Sequence, residues 1–268
     1  MRIIAAFFAL LLLIFCAWGV SYVSYLPQFS IQSVSVVGTS QVPAKLVSDY
    51  VETILDNGSY HLLSRKNIFL YPRSSIEKAV VGYFPRIKSA SVSRVSLLAT
   101  GITVSVEERQ PYALWCSDSS HASCYQMDHN GFIFAQASQI ASTSSVAQTQ
   151  YVFEGGIATS TAPIGQSFVP AHLPGLVVLL QSLGQAGFAA QGISVVNDQD
   201  FSIALTEGFR LKASFGEDAG TLTRNLQLII SSDPLQGKEQ DLEYIDLRFG
   251  DRVYYKLKGQ TEATSTAQ

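Results

Sequence analysis

After Met1 and Arg2 the chain runs for twenty-one residues without a charge. Ile3 to Val23 is apolar or small throughout, and at about 1.5 Å per residue such a run makes a helix of roughly 30 Å, the thickness of a bilayer core. Trp18, Tyr22 and Tyr25 gather at its far end, where an aromatic belt meets the membrane surface. The run lacks a small-residue cleavage signal before Pro27, so it is expected to stay attached as an anchor. Arg2 is the nearby positive charge, which places the amino terminus on the cytoplasmic side and the bulk of the chain outside.

After the anchor the hydrophobic period changes repeatedly. Phe29 to Val37 alternates as a strand and stops at Gly38. Pro43 suits the first position of a helix, and Leu46, Val47, Tyr50, Val51, Ile54 and Leu55 recur at helical spacing up to Asn57-Gly58. Ser74 and Glu77 read as a capping box for a second helix, with Ile76, Val80 and Phe84 on its inner face. Ile87 to Val95 and Gly101 to Glu107 are strands. In the second, Ile102, Val104 and Val106 alternate with Thr103, Ser105 and Glu107.

From Pro111 the chain becomes mostly β. Short strands are expected over Tyr112 to Cys116, Cys124 to Met127, Phe132 to Ala135 and Tyr151 to Glu154, with a turn at Asp128 to Gly131. Ser138 to Gln150 has no period and reads as a loop. Leu173 to Ala186 is helical, with Leu176, Leu179, Leu180 and Leu183 on one side; Thr221 to Ser231 is a second helix. Three strands, Gly192 to Val196, Phe201 to Leu205 and Phe209 to Phe215, lie between them. The chain closes on two alternating runs, Leu242 to Phe249 and Arg252 to Lys258, joined at Gly250-Asp251. Residues 259–268 are polar and small and are expected to be disordered. The final strand would then present unpaired backbone groups, which a protein either protects or uses to pair with another strand.

These elements predict an α+β protein: a transmembrane helix with a short cytoplasmic tail (1–27), a β-α-α-β-β domain (28–108), a mostly antiparallel β domain with two helices (109–258) and a tail (259–268). The 268 residues carry 18 basic and 21 acidic side chains, a balance that lacks the basic stripe of a nucleic-acid binder.

Candidate chemistry is sparse. Cys116, His121, Cys124 and His129 follow one another as C-x4-H-x2-C-x4-H, a set able to hold zinc but unlike the usual zinc spacings. Cys116 and Cys124 also flank a polar loop, as the two halves of a disulfide would in an oxidising space, or they are free thiols. His61, His121, His129 and His172 have no nucleophile motif around them, and Gly155-Gly156 lacks the Lys-Ser/Thr of a phosphate loop. Glu107 and Glu108 are neighbours on a strand and point to opposite faces. No active site, cofactor, metal or small-molecule substrate is expected.

The opening Phe29-Ser-Ile-Gln-Ser-Val-Ser-Val-Val-Gly38 and the exit Val106-Glu-Glu-Arg-Gln-Pro-Tyr-Ala-Leu-Trp115 resemble those of a POTRA domain, a small extracytoplasmic docking module. With Asp128-x-x-Gly131 and Tyr244-Ile-Asp-Leu-Arg-Phe249 in the same order, nearly the whole chain is similar to the FtsQ/DivIB family of bacterial cell-division proteins. The short cytoplasmic tail and the cysteine pair depart from that pattern. The resemblance implies a non-enzymatic inner-membrane scaffold of the divisome at the division septum. It implies partners of the FtsB and FtsL type, bound by strand addition at Arg248, Phe249, Val253, Tyr254, Tyr255 and Lys256, and a link to septal peptidoglycan synthesis. A second docking surface would lie on the POTRA module around Ser74 to Phe84. Two alternatives stay open: a membrane-anchored POTRA protein of a secretion or envelope-assembly system, and a metal-dependent envelope enzyme using the Cys/His cluster.

Overall fold

A computed structural model describes residues 2–56, 62–117, 123–137, 151–250 and 252–261, and the backbone of 264–267. Contacts divide the chain into two units, 1–109 and 110–268. The end of the first helix at Asn57-Gly58, the Ser138 to Gln150 loop, His61, His121 and Asp251 lie outside the described residues.

The first unit begins with α1 (Arg2–Ser24), the one helix among the described residues long and apolar enough to cross a membrane. A short 3-10 turn, Pro27–Phe29, separates it from β1 (Ser33–Val37), so the strand starts later than the alternation suggested because Pro27 fixes a turn first. Two helices follow, α2 (Ala44–Leu55) and α3 (Arg73–Tyr83), then β2 (Ile87–Ser93) and β3 (Gly101–Glu108). The sheet order is β1-β3-β2, with β1 parallel to β3 and β2 antiparallel to it. Val47, Val51 and Leu55 of α2 and Ile76 and Val80 of α3 are spaced by four residues, so each set forms one stripe. These stripes cover Ile87, Val92, Ile102 and Val104 of the sheet, all nearly inaccessible.

Glu77 of α3 and Glu108 of β3 bind backbone amides through their carboxylates. Pro72 sets the start of α3 one residue early and the helix has no side-chain cap, so Ser74 is not capping it. Glu77 instead accepts from Arg73 Nε at 3.0 Å and from the Val92 amide of β2 at 2.8 Å. That amide bond, with Arg73 after it, holds the Glu77 carboxyl below its ordinary range. Glu107 and Glu108 do face opposite ways. Glu107 lies outside against Lys88 and Ser89. Glu108 is buried and accepts from the amides of Ser40, Gln41 and Val42 at 2.7 to 3.0 Å, which ties the end of β3 to the turn before α2.

The second unit holds ten strands, two α-helices and a 3-10 turn, Glu239–Asp241, among its described residues. Its strands are β4 (Ala113–Cys116), β5 (Cys124–Met127), β6 (Ile133–Gln136), β7 (Val152–Glu154), β8 (Ala190–Val195), β9 (Asp200–Leu205), β10 (Arg210–Ser214), β11 (Leu242–Phe249), β12 (Arg252–Leu257) and β13 (Thr264–Ala267). They form one sheet in the order β13-β12-β11-β10-β9-β8-β7-β4-β5-β6. Pairings β4–β7, β7–β8 and β10–β11 are parallel and the others antiparallel, so the sheet is mixed. Helices α4 (Leu173–Gln185) and α5 (Ala219–Ile230) are linked by Thr223 Oγ1 and Ser182 Oγ at 2.9 Å. Asp218 caps α5 by accepting from the Thr221 amide, which moves its start ahead of Thr221. Leu176, Leu179, Leu180 and Leu183 of α4 and Leu222, Leu226 and Ile229 of α5 join Phe201, Ile203, Leu211, Ile245 and Leu247 of the sheet in one core.

Candidate interaction site at the end of the large sheet

The strands that bear the expected partner residues are β11 and β12. They pair in the register Ile245↔Tyr255 and Asp246↔Tyr254, across the turn at Gly250, whose φ is +62°. Side chains alternate between faces, and the helices lie against only one of them. Val253 and Tyr255 take the helix-facing side and are buried. Their positions match Ile245 and Leu247, and their side chains pack in the core of the unit.

Tyr244, Asp246, Arg248, Tyr254 and Lys256 occupy the other face. Arg248, whose side chain is 27% exposed, is ion-paired within the chain on that face. Its Nε and Nη2 donate to the two oxygens of Asp246 at 2.8 and 2.7 Å, and Nη1 donates to Asp200 Oδ2 at 2.8 Å. The planar guanidinium fits a carboxylate as a two-pronged fork, which explains Arg rather than Lys at this point. Asp246, in first place, and Asp200 raise the Arg248 pKa further above its already high ordinary value. Burial works against the Asp200 charge, but the Ser214 hydroxyl and Arg248 outweigh it and hold that carboxyl below its usual range. Lys212 Nζ stands 3.6 Å over the Tyr244 ring, and Lys256 Nζ pairs with Glu243 at 2.9 Å.

Phe249 and Tyr254 remain as accessible members of the set. Phe249 is 53% exposed and meets Tyr254 edge to face, ring centroids 5.1 Å apart. Large aromatic side chains are the residues that dominate interface hot spots.

The outer rim of β12 is not open. β13 pairs with it antiparallel, Arg252↔Ala267 through Tyr255↔Thr264. The expectation of a disordered tail and a bare terminal edge is thus corrected over residues 264–267. The physical reason is that an unpaired strand rim accepts any extended backbone of suitable length, and this pairing needs no apolar alternation. The pairing spans four residues, against six in β12.

The cysteine pair is resolved by β4 and β5. Cys116 and Cys124 are direct cross-strand partners, their Cα atoms are 4.1 Å apart, and their sulfurs are bonded to each other. Both thiolates that a zinc site would need are consumed by that bond, and His129 lies instead against the ring of Tyr112. Among the described residues no group of three or more His, Cys, Asp or Glu side chains is arranged to hold a metal. Asp128 Oδ1 accepts from the amides of Asn130 and Phe132, so it shapes the Gly131 turn.

A cavity of about 250 Å³ opens between α4 and the β10–α5 connection, lined by His172, Leu176, Phe201, Phe215 and Glu217. Burial pushes the Glu217 carboxyl up. His172 stacks flat on Phe215 at 4.4 Å, which gives it a packing role, and the one hydroxyl of the lining, Ser214, donates to Asp200 and not to His172.

The chain matches no protein-family model and no curated protein.

Proposed function

We propose that this chain is a non-enzymatic, single-pass membrane scaffold of the bacterial divisome, of the FtsQ/DivIB type. Its amino terminus lies in the cytoplasm and both folded units lie outside. Its partners are FtsB- and FtsL-type division proteins, which it links to septal cell-wall synthesis. What supports the reading is the sequence of parts: an apolar helix of spanning length, a three-stranded β-α-α-β-β unit, then a large sheet whose β11–β12 hairpin carries Tyr244-Ile-Asp-Leu-Arg-Phe249. The metal-enzyme alternative loses its thiolates to the disulfide.

The observation that carries the mechanism is the four-residue pairing at the sheet's end. Strand addition at β12 has to proceed by exchange, with the partner replacing Thr264–Ala267 rather than docking on a bare rim. Thr-Ser-Thr-Ala contributes no large apolar side chain to such a pairing. A partner strand that spans all of Arg252–Leu257 and packs a side chain against Phe249 gains both backbone bonds and apolar contact, at about 0.5–1.5 kcal/mol per net hydrogen bond. The anchor restricts both proteins to one plane and raises their effective concentration, so a weak exchange suffices.

The deciding experiment is calorimetric titration of the outer units with the extracytoplasmic segment of an FtsB-type protein, using the intact chain and a chain ending at Gln260. Removal of the resident strand is expected to tighten binding about tenfold, the equivalent of 1.4 kcal/mol. Equal affinity of the two forms eliminates exchange at β12, and absence of binding by both eliminates the partner.

A further inference from the structure

The first unit exposes its large apolar side chains mostly at one end, and that end adjoins α1. Leu62, Leu63, Phe69 and Leu70 lie on the segment before α3, and Val95, Leu97 and Leu98 on the β2–β3 hairpin; all are more than 40% exposed. Among the described residues elsewhere in the unit, outside α1 and Tyr25 just beyond it, the large exposed apolar side chains are Val37, Leu46 and Tyr83.

Hydrogen bonds fix both segments beside the exit of the helix. Ser21 Oγ donates to the Leu62 carbonyl at 2.5 Å, and the Ser64 amide donates to Ser24 Oγ at 3.1 Å. Asn67, itself buried, donates through Nδ2 to the Ser24 carbonyl at 3.1 Å. The Ile31 amide reaches the Lys66 carbonyl and the Gln32 amide reaches the Thr100 carbonyl, both at 2.7 Å. Arg94 stands over the Tyr71 ring at 5.5 Å, joining the hairpin to the first segment. Leu62 therefore sits level with Ser21, in the last turn of the apolar helix, the turn that also carries Tyr22, whose ring stacks on Trp18 at 6.2 Å.

We infer that these two segments form a lipid-embedding rim: the first unit lies directly on the outer leaflet, with the apolar tips of both loops inserted between headgroups. The occupant follows from continuity with α1, because any bilayer that holds the helix up to Ser24 also reaches Leu62. Charge agrees. Residues 62–71 and 94–100 contain Arg65, Lys66 and Arg94 and no acidic residue, the composition that suits anionic headgroups. Such contact fixes the tilt of the first unit on the membrane and turns a flexible tether into an oriented platform. The inference rests on the reading of α1 as a membrane span.

The test uses the full chain in nanodiscs of phosphatidylcholine and phosphatidylglycerol. An environment-sensitive fluorophore is attached in turn to native Cys16 and, in a Cys16→Ser background, to Leu70→Cys, Leu98→Cys and Val37→Cys. All three substituted positions are exposed, so the core is left intact. Doxyl-labelled lipid is expected to quench the labels at 16, 70 and 98 about twofold or more while leaving position 37 bright. If position 16 is not quenched, the span itself fails. If position 16 is quenched but 70 and 98 behave like 37, only the rim is overturned. Shielding of 70 and 98 from aqueous iodide without lipid quenching assigns the loops to a protein neighbour, a second copy, and equally overturns it.

Discussion

Arg248 grips Asp246 with two parallel hydrogen bonds, Nε to Oδ1 at 2.8 Å and Nη2 to Oδ2 at 2.7 Å, two residues apart on one strand. Asp246 is almost wholly buried, at 4% exposure, and Arg248 is its ion-pair partner. Replacement by Ala strands a buried carboxylate, which typically costs 3–5 kcal/mol at fully buried pairs. Arg248 and Asp200 are themselves partly open to solvent, so Arg248→Ala is expected to destabilise the second unit by about 2–3 kcal/mol in urea unfolding. Arg248→Lys keeps the charge and loses the fork, and about half of that loss is expected. A variant whose stability is unchanged while partner binding falls would restore Arg248 to the interface.

Glu108 links the end of β3 to residues 40–42 by accepting three backbone amides. Burial opposes its charge, yet the amides of Val42, Ser40 and Gln41 outweigh that and hold its pKa below the ordinary value. The sign follows. The folded state prefers the carboxylate more than the unfolded chain does, so the stabilisation is complete above the unfolded pKa near 4.3. It disappears as the pH falls through the lower folded value. Glu108→Ala is expected to cost about 1–3 kcal/mol at pH 7 by leaving amides unpaired, and to flatten the acid limb of the first unit's stability curve, read by circular dichroism between pH 7 and 2.

Much of this architecture was legible in the sequence, and the failures have a common cause. Where burial follows a period, as in Val47-Val51-Leu55 or Ile102-Val104-Val106, the elements appear within a residue or two of their expected bounds. The same rule, applied to β12, places Val253 and Tyr255 in the core with Ile245; the family resemblance drew them toward a partner instead. What the period does not carry is partnership between polar groups distant in sequence. Arg248 and Asp200 are 48 residues apart, and Glu108 reaches Ser40 across 68. β13 left no trace because Thr-Ser-Thr-Ala has no apolar alternation; its strand state comes from the rim it lies on.

Gly38 ends β1 with φ of +89°, and a Cβ built there would lie 2.1 Å from the Val106 carbonyl oxygen. Either fact alone disfavours a side chain, and together they leave no rotamer to relieve the clash, since the obstacle is backbone. Gly38→Ala is expected to cost more than about 3 kcal/mol and to lower the melting temperature of the first unit by over 10 °C, measured by calorimetry. Gly187 also has positive φ, +92°, but open space around it; Gly187→Ala is expected to cost about 1 kcal/mol. Equal effects at the two positions would show that backbone strain, not the clash at Val106, sets the cost.

Closing Cys116 to Cys124 joins residues already paired across β4 and β5, eight apart in sequence. Loop entropy for so short a ring predicts about 2–3 kcal/mol of stabilisation, held mainly by what the unfolded chain can no longer explore. Reduction, or the double change to Ser, is expected to remove that amount while the native sheet remains, because the packing of the neighbouring Trp115 at 1% exposure and its Nε1 bond to the Gly155 carbonyl survive. The same preparations decide the fate of the Cys/His set. Zinc added to the oxidised chain is expected to leave unfolding unchanged. If zinc stabilises the reduced chain by more than the disulfide did, and His129→Ala abolishes the gain, the C-x4-H-x2-C-x4-H spacing is a metal site after all.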